Sequence, residues 1–224
     1  MHIEPGMVEG AKMALSYGTA AAAGGWSVKL ILDDLKGHNP LSFALRAAIA
    51  VVVTFVCFEV LPHYAVGVSE VHVIVGTTLL LLLGAGPAAV GLAGGLAVQS
   101  LFFAPSDLPM FTVNVTTLLF PLIAIHAIAR RVIPAHKPYV DLNYGDVLKL
   151  SLAYQGGIVL WVAFWVVYGQ GVGIWSDALA FGAAYMLVVI IEPVIDLGAL
   201  ALAKSLHRFR DSGAFVNRLH HPAA

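Results

Sequence analysis

The first two residues carry the most distinctive chemistry in the sequence. In Met1-His2, a free terminal amine, the amide nitrogen between the two residues and the His2 imidazole Nδ1 can bind one metal ion and close two chelate rings. A divalent metal can acidify that amide, because its charge alters the pKa of its ligands. One more imidazole would complete a planar set of four nitrogens, which suits Ni(II) or Cu(II), with Co(II) intrinsically less favoured. Since residues 1–6 lack the basic start of a cleavable signal peptide, we expect the mature chain to begin at Met1.

His72 is the candidate for the fourth nitrogen ligand. It stands at the start of an apolar run, 71–84, which as a helix would measure about 21 Å against a membrane core of about 30 Å. The outer end of so short a helix would lie below the membrane surface, within the reach of about 20 Å that the first six residues have. Glu4-Pro5-Gly6 supplies a turn that could send the terminus back towards His72. The alternative is a hydrogen-bonded structural His72 and a chance His2.

A second constellation consists of two carboxylates in the last apolar run. Glu192 and Asp196 are four residues apart and therefore share one face of a helix. Carboxylates inside a membrane are costly and are usually functional or paired. They could relay a proton, with His126 as a plausible partner, or serve coupling or structure. This constellation predicts an alternative function, a proton-coupled secondary transporter.

The composition indicates which elements must position these residues. Of 224 residues, 59% are hydrophobic and 11% are charged, which excludes a soluble enzyme, a disordered chain and a nucleic-acid binder. The sequence predicts an all-α integral membrane protein, with one transmembrane domain at 1–203, its metal-binding segment at 1–6, and a basic cytoplasmic tail at 204–224. About seven transmembrane helices are expected, at 7–26, 41–61, 71–84, 87–103, 112–129, 147–168 and 175–203.

The orientation depends on how the third and fourth runs are joined. Gly84-Ala85-Gly86-Pro87 favours a tight turn between two helices, and the alternative is one kinked helix of about 33 residues. With two helices and the N-terminus outside, eleven of the twelve Lys and Arg residues lie at or near one face. The positive-inside rule therefore predicts an outer N-terminus, a cytoplasmic C-terminus and a tail that fixes topology or contacts anionic lipid.

Motifs for other chemistry are absent from the sequence. It has no P-loop, no His-Glu-x-x-His, no Cys-x-x-Cys and no Gly-x-Ser-x-Gly, and Cys57 is the single cysteine. We expect no enzyme activity, no catalytic cofactor and no nucleic-acid partner. Any energy source for transport would lie outside this chain.

The opening Met1-His2-Ile3-x-x-Gly6 and the run Val71-His72-Val73 before a glycine-rich turn resemble the CbiM/NikM family. Its members are the substrate-binding (S) components of cobalt and nickel energy-coupling-factor (ECF) importers of bacterial and archaeal cell membranes. In that family the free N-terminus folds back into the bundle. The resemblance implies Met1, His2 and His72 as metal ligands, and Ni(II) or Co(II) as the transported substrate.

The same resemblance implies further residues and partners. Asn114 matches one of two asparagines that the family carries after its fourth helix, which makes it a candidate for a group behind the ligands. Glu192 and Asp196, singled out by their own position in the last span, are candidates for the same role or for coupling. A transmembrane T component and two separate ATPase subunits would drive release. Small-residue pairs at 20/24, 21/25 and 91/95 serve internal packing or contact with that T component. The sequence does not separate nickel from cobalt.

Overall fold

The computed structural model describes residues 3–37 and 39–222, and the predicted all-α fold is confirmed. This part of the chain contains seven α-helices and one two-stranded antiparallel sheet. The helices are α1 (Met13–Gly37), α2 (Pro40–Phe55, continued by a π-helical turn at Val56–Val60), α3 (Gly76–Leu83), α4 (Ala85–Phe102), α5 (Phe111–Val132), α6 (Tyr144–Gln170) and α7 (Trp175–Ser205). The strands are β1 (Tyr64–Val66) and β2 (Ser69–Val71).

Five of the described helices are long and apolar enough to cross a membrane. They are α2, α4, α5, α6 and α7, with α2 counted through its π-helical turn and α5 with the 3₁₀ turn before it. Helix α3 has only eight residues, and the polar and small residues at 16–19 dilute α1. The chain is therefore a multi-pass membrane protein. Each of the seven predicted runs corresponds to a helix, and five of these helices are clear candidates to span the membrane.

Helix α1 differs most in its bounds from the predicted span at 7–26. It begins at Met13 and continues eleven residues beyond position 26. Within this charged end, Asp33 pairs with Lys29 (3.5 Å) and Lys36 (2.8 Å) at helical spacing, and each pair supports the helix by a few tenths of a kcal/mol. Residues 3–9, which we call the N-terminal segment, precede the helix and lie outside regular structure apart from one β-bridge at Ile3.

The predicted third span, 71–84, is wrong in its first five residues. Strands β1 and β2 form a hairpin whose turn begins at Gly67 with φ +60, a conformation that favours glycine. Residues 72–75 follow without regular secondary structure, and α3 begins only at Gly76. His72 is therefore held by a strand and its continuation, not by the start of a helix.

Helices α3 and α4 are separated by Gly84 alone, which confirms two helices rather than one kinked helix. Gly84 has φ +94, and the guanidinium of Arg46 lies beside it. Arg46 donates to the Leu83 carbonyl (2.5 Å) and pairs with Asp34 (2.6 Å), and its side chain is fully buried. This ion pair satisfies the backbone at the break, where a membrane offers no water.

Small residues bring α2 and α4 into close contact. A Cβ at Gly91 would lie 2.3 Å from the Ala50 Cβ, and one at Gly95 would lie 2.6 Å from Thr54. The 91/95 pair therefore serves internal packing. In α1, Ala21 and Gly25 are exposed instead.

The basic C-terminal region packs against the bundle rather than extending away from it. The Val216 N–H donates to the Leu82 carbonyl (2.9 Å), and Ser42 Oγ donates to the Gly213 carbonyl (2.7 Å). Leu219 is fully buried in a second apolar cluster formed with the ends of α5, α6 and α7. The region therefore closes the end of the bundle at which α3 terminates.

Candidate metal site

The N-terminal segment is built into the helical bundle at its first described residue. Ile3 is fully buried, and its N–H donates to Asn114 Oδ1 of α5 at 2.8 Å. Ile3 also forms an antiparallel bridge with Ser69 of β2, and the Glu4 N–H donates to the Val68 carbonyl (3.2 Å). The segment therefore runs alongside the strand that leads to His72.

The end of α6 holds the same segment further along. Gln170 Nε2 donates to the carbonyls of Gly6 and Met7, at 2.9 Å each, and Lys12 Nζ donates to the Gly169 carbonyl (2.7 Å). A Cβ at Gly169 would lie 1.8 Å from the Met7 carbonyl oxygen, so the two backbones touch. Glycine is required at this position because of that close approach.

His72 lies in a buried pocket of aromatic and acidic groups. Its side chain is 1% exposed, and its Nε2 lies 2.8 Å from the Glu70 carboxylate. The His63 ring stacks on it with centroids 4.8 Å apart, and Phe58 contacts it at 5.3 Å in a tilted arrangement. Residues 70 and 72 share a face wherever the chain is extended, and this spacing is the signal in the sequence that could have indicated the contact between Glu70 and His72.

Negative charge gathers where the N-terminal segment meets the hairpin. The pKa of Glu4 is raised, because the carboxyl is partly buried and the carboxylates of Glu70 and Asp107 lie close enough to repel its charge. Such a field attracts cations to this end of the bundle.

Of the three predicted ligands, only His72 belongs to the described part of the chain. Met1 and His2 lie outside the described residues. Across 3–37 and 39–222, no group of three or more His, Cys, Asp or Glu side chains could hold a metal ion. His72 is therefore the one predicted ligand within the described residues. Ile3 is the described residue that directly follows the other two predicted ligands in sequence.

Glu192 and Asp196 are both buried on α7, on the face that packs against α3 and the segment before it. Glu192 accepts hydrogen bonds from the backbone N–H groups of Ile74 and Val75, and Asp196 accepts one from Thr78 (2.5 Å). The hydrogen bonds described for the two carboxylates do not include His126. His126 instead lines a cavity of about 650 Å³ together with Asp33, Arg130 and C-terminal residues.

A family model described as the cobalt uptake substrate-specific transmembrane region, CbiM, matches residues 2–209. The chain belongs to the CbiM family. It is thus a membrane protein of a metal-uptake family, and the CbiM match covers every element described above except the last C-terminal residues. No curated protein matches the chain significantly by sequence.

Two solved structures share the fold of this CbiM family member. A transition metal transporter aligns with a TM-score of 0.66 at 20% identity, over 95% of this chain and 99% of its own. A truncated transition metal transporter aligns with a TM-score of 0.64, also at 20% identity, over 93% of this chain and 99% of its own.

Proposed function

We propose that this protein is the metal-capturing S component of an ECF-type importer for Ni(II) or Co(II). The observation that carries the proposal is the pairing of Ile3 with Ser69 and the hydrogen bond from the Ile3 N–H to Asn114. His2 and Met1 directly precede Ile3, and two residues of chain reach only about 7 Å. Ligands from the terminus and from the segment after β2 therefore come from the same small region.

The proposed ligands are the Met1 amine, the His2 amide nitrogen, the His2 imidazole and the His72 imidazole. The contact between His72 Nε2 and Glu70 supports a tautomer with the proton on Nε2. A carboxylate that accepts this proton orients the ring and leaves Nδ1 as the metal-binding nitrogen, as in many His–metal sites. Asn114 would fix the terminus through the Ile3 backbone.

Partner subunits would supply the energy and the reorientation. The sequence has no P-loop, so ATP hydrolysis in this proposal belongs to two separate ATPase subunits. The exposed small residues Ala21 and Gly25 of α1 would allow close contact with a transmembrane T component. A proton relay from Glu192 and Asp196 through His126 has no support in the described contacts.

The proposal is tested by the affinity for Ni(II) and Co(II), measured by calorimetry on detergent-purified protein that begins at Met1. An N-terminal extension by one glycine, and separately His72→Ala, should each weaken binding by about 100-fold or more, because each removes a proposed ligand. His136→Ala, at an exposed loop position, is the matched histidine control and should change affinity by less than about twofold. Unchanged affinity in the extended protein would contradict the proposal.

A further inference from the structure

The segment that carries His72 ends in an unfavourable backbone conformation. Val75 has φ +52, and it is the one non-glycine residue with positive φ in the described part of the chain. A β-branched side chain disfavours this left-handed region strongly. Val75 also precedes α3 without a side-chain cap of its own. Surrounding structure must therefore hold residues 72–75 in place.

Glu192 of α7 supplies that restraint. Its side chain is fully buried, and one carboxylate oxygen, Oε1, accepts the N–H groups of both Ile74 and Val75, the latter at 3.1 Å. The carboxyl group also lies at the N-terminus of α3, where the helix dipole favours an anion.

Two further buried residues fix the orientation of this carboxylate. Gln155 of α6 donates from Nε2 to Glu192 Oε2, and the Tyr185 hydroxyl donates to Gln155 Oε1 at 2.5 Å. Gln155 and Tyr185 are fully buried. Because the Tyr185 hydroxyl donates to the amide oxygen of Gln155, the NH₂ group of Gln155 faces Glu192. Every contact described for the Glu192 carboxylate therefore pairs a donor with an acceptor.

We infer that Glu192 is a positioning residue for metal capture: it holds the backbone two and three residues after His72 and so sets where the imidazole lies. The inference rests on the proposed function, since it takes His72 as a ligand. Glu192 does not itself touch the metal in this assignment. Residues that orient ligands in this way typically change metal affinity by about 10- to 100-fold when they are replaced.

The test exploits the hydrogen-bond pattern around the carboxylate. Glu192→Ala removes the acceptor of both N–H groups. Glu192→Gln keeps an oxygen for Ile74 and Val75 but turns an NH₂ group towards the NH₂ group of Gln155. Combining Glu192→Gln with Gln155→Glu moves the carboxylate to α6 and restores a donor opposite every acceptor. Asp146→Asn, in the first turn of α6, changes a carboxylate that contacts Lys137 and not residues 72–75, and is the matched control.

Ni(II) affinity and the visible absorption of bound Ni(II) are measured on protein that begins at Met1. We expect Glu192→Ala to weaken binding about 10- to 100-fold and to shift the ligand-field bands, which a purely structural role would leave unchanged. The double variant should return to within about threefold of the wild type, and Asp146→Asn should stay within that range.

Two results overturn the inference. One is a folded Glu192→Ala protein with wild-type affinity and spectrum. The other is a double variant that binds Ni(II) no more tightly than Glu192→Gln does. This second result is decisive even if Glu192→Ala does not fold. In both cases the proposed function stays intact as long as the wild-type protein binds Ni(II) or Co(II). Wild-type protein that binds neither Ni(II) nor Co(II) would overturn the proposed function and this inference together.

Discussion

Replacing Asn114 with alanine tests whether the N-terminal segment must be anchored for metal capture. Asn114 is 1% exposed on α5, and its Oδ1 accepts the Ile3 N–H at 2.8 Å. Alanine leaves that buried N–H without its acceptor. Ile3, which follows His2, would then lose the Asn114 side chain that holds its backbone within the bundle.

The size of the effect follows from this single contact. A buried donor that loses its partner costs about 1–3 kcal/mol. If the cost falls on the ordered terminus, metal binding weakens by about 5- to 150-fold, since 1.4 kcal/mol corresponds to a factor of ten. The bundle itself should remain folded, because the N-terminal segment contributes only part of the apolar core.

Calorimetric titration with Ni(II) measures this change, on protein whose mass confirms a start at Met1. Thr117→Val is the matched control, because the Thr117 hydroxyl is equally buried on α5 but donates only to the helix's own Asn114 carbonyl. Asn114→Ala protein that is folded and binds within about twofold of the wild type would refute the reasoning, given the minimum cost of about 1 kcal/mol.

Three other substitutions test further parts of the structure. Gly169→Ala should weaken Ni(II) binding about tenfold or more, because its Cβ would lie 1.8 Å from a carbonyl oxygen of the N-terminal segment. Gly156→Ala on the same helix is the control and should leave Ni(II) binding unchanged, because its Cβ would meet nothing within 4 Å. Arg46→Met should destabilise the protein by about 3–5 kcal/mol, seen as a lower melting temperature in detergent, because it leaves a buried carboxylate without its guanidinium. Leu219→Ala should cost about 2–5 kcal/mol by the same measurement, and Leu202→Ala, an exposed leucine of α7, less than about 0.5 kcal/mol.

The helices could be predicted from the sequence because membrane helices are defined by local composition. Apolar runs bounded by Gly, Pro and charged residues gave all seven helices, and Gly84 marked the break between the third and the fourth. The ends were less predictable. Helix α1 continues to Gly37 through a charged stretch in which Asp33 makes two ion pairs within the helix, a contribution that a hydropathy pattern does not register.

The surroundings of His72 could not be predicted, because distant residues determine them. The run 71–75 is as apolar as the helix that follows it, so local pattern favours one continuous helix. Its non-helical form is accompanied by the bridge between Ser69 and Ile3 and by hydrogen bonds to Glu192, which lies more than a hundred residues away in sequence. The two carboxylates of α7 were recognisable as special, but their partners were not.

The C-terminal region illustrates the same limit on a smaller scale. Its basic residues predicted a cytoplasmic tail that fixes topology or contacts anionic lipid. They do not indicate that Val216 and Leu219 pack into the second apolar cluster. Val216 and Leu219 are scattered among charged, polar and other apolar residues and give only a weak signal in sequence, yet their burial contributes about 1.5–3 kcal/mol each.

The most direct test of the proposed four-nitrogen site is X-ray absorption spectroscopy of the Ni(II)-loaded protein with its N-terminus at Met1. The account predicts one nickel per chain in a planar shell of four nitrogen ligands without sulfur, and loss of that signature when one residue is added before Met1. A six-coordinate shell rich in oxygen, or the same planar signature in the extended protein, would contradict it.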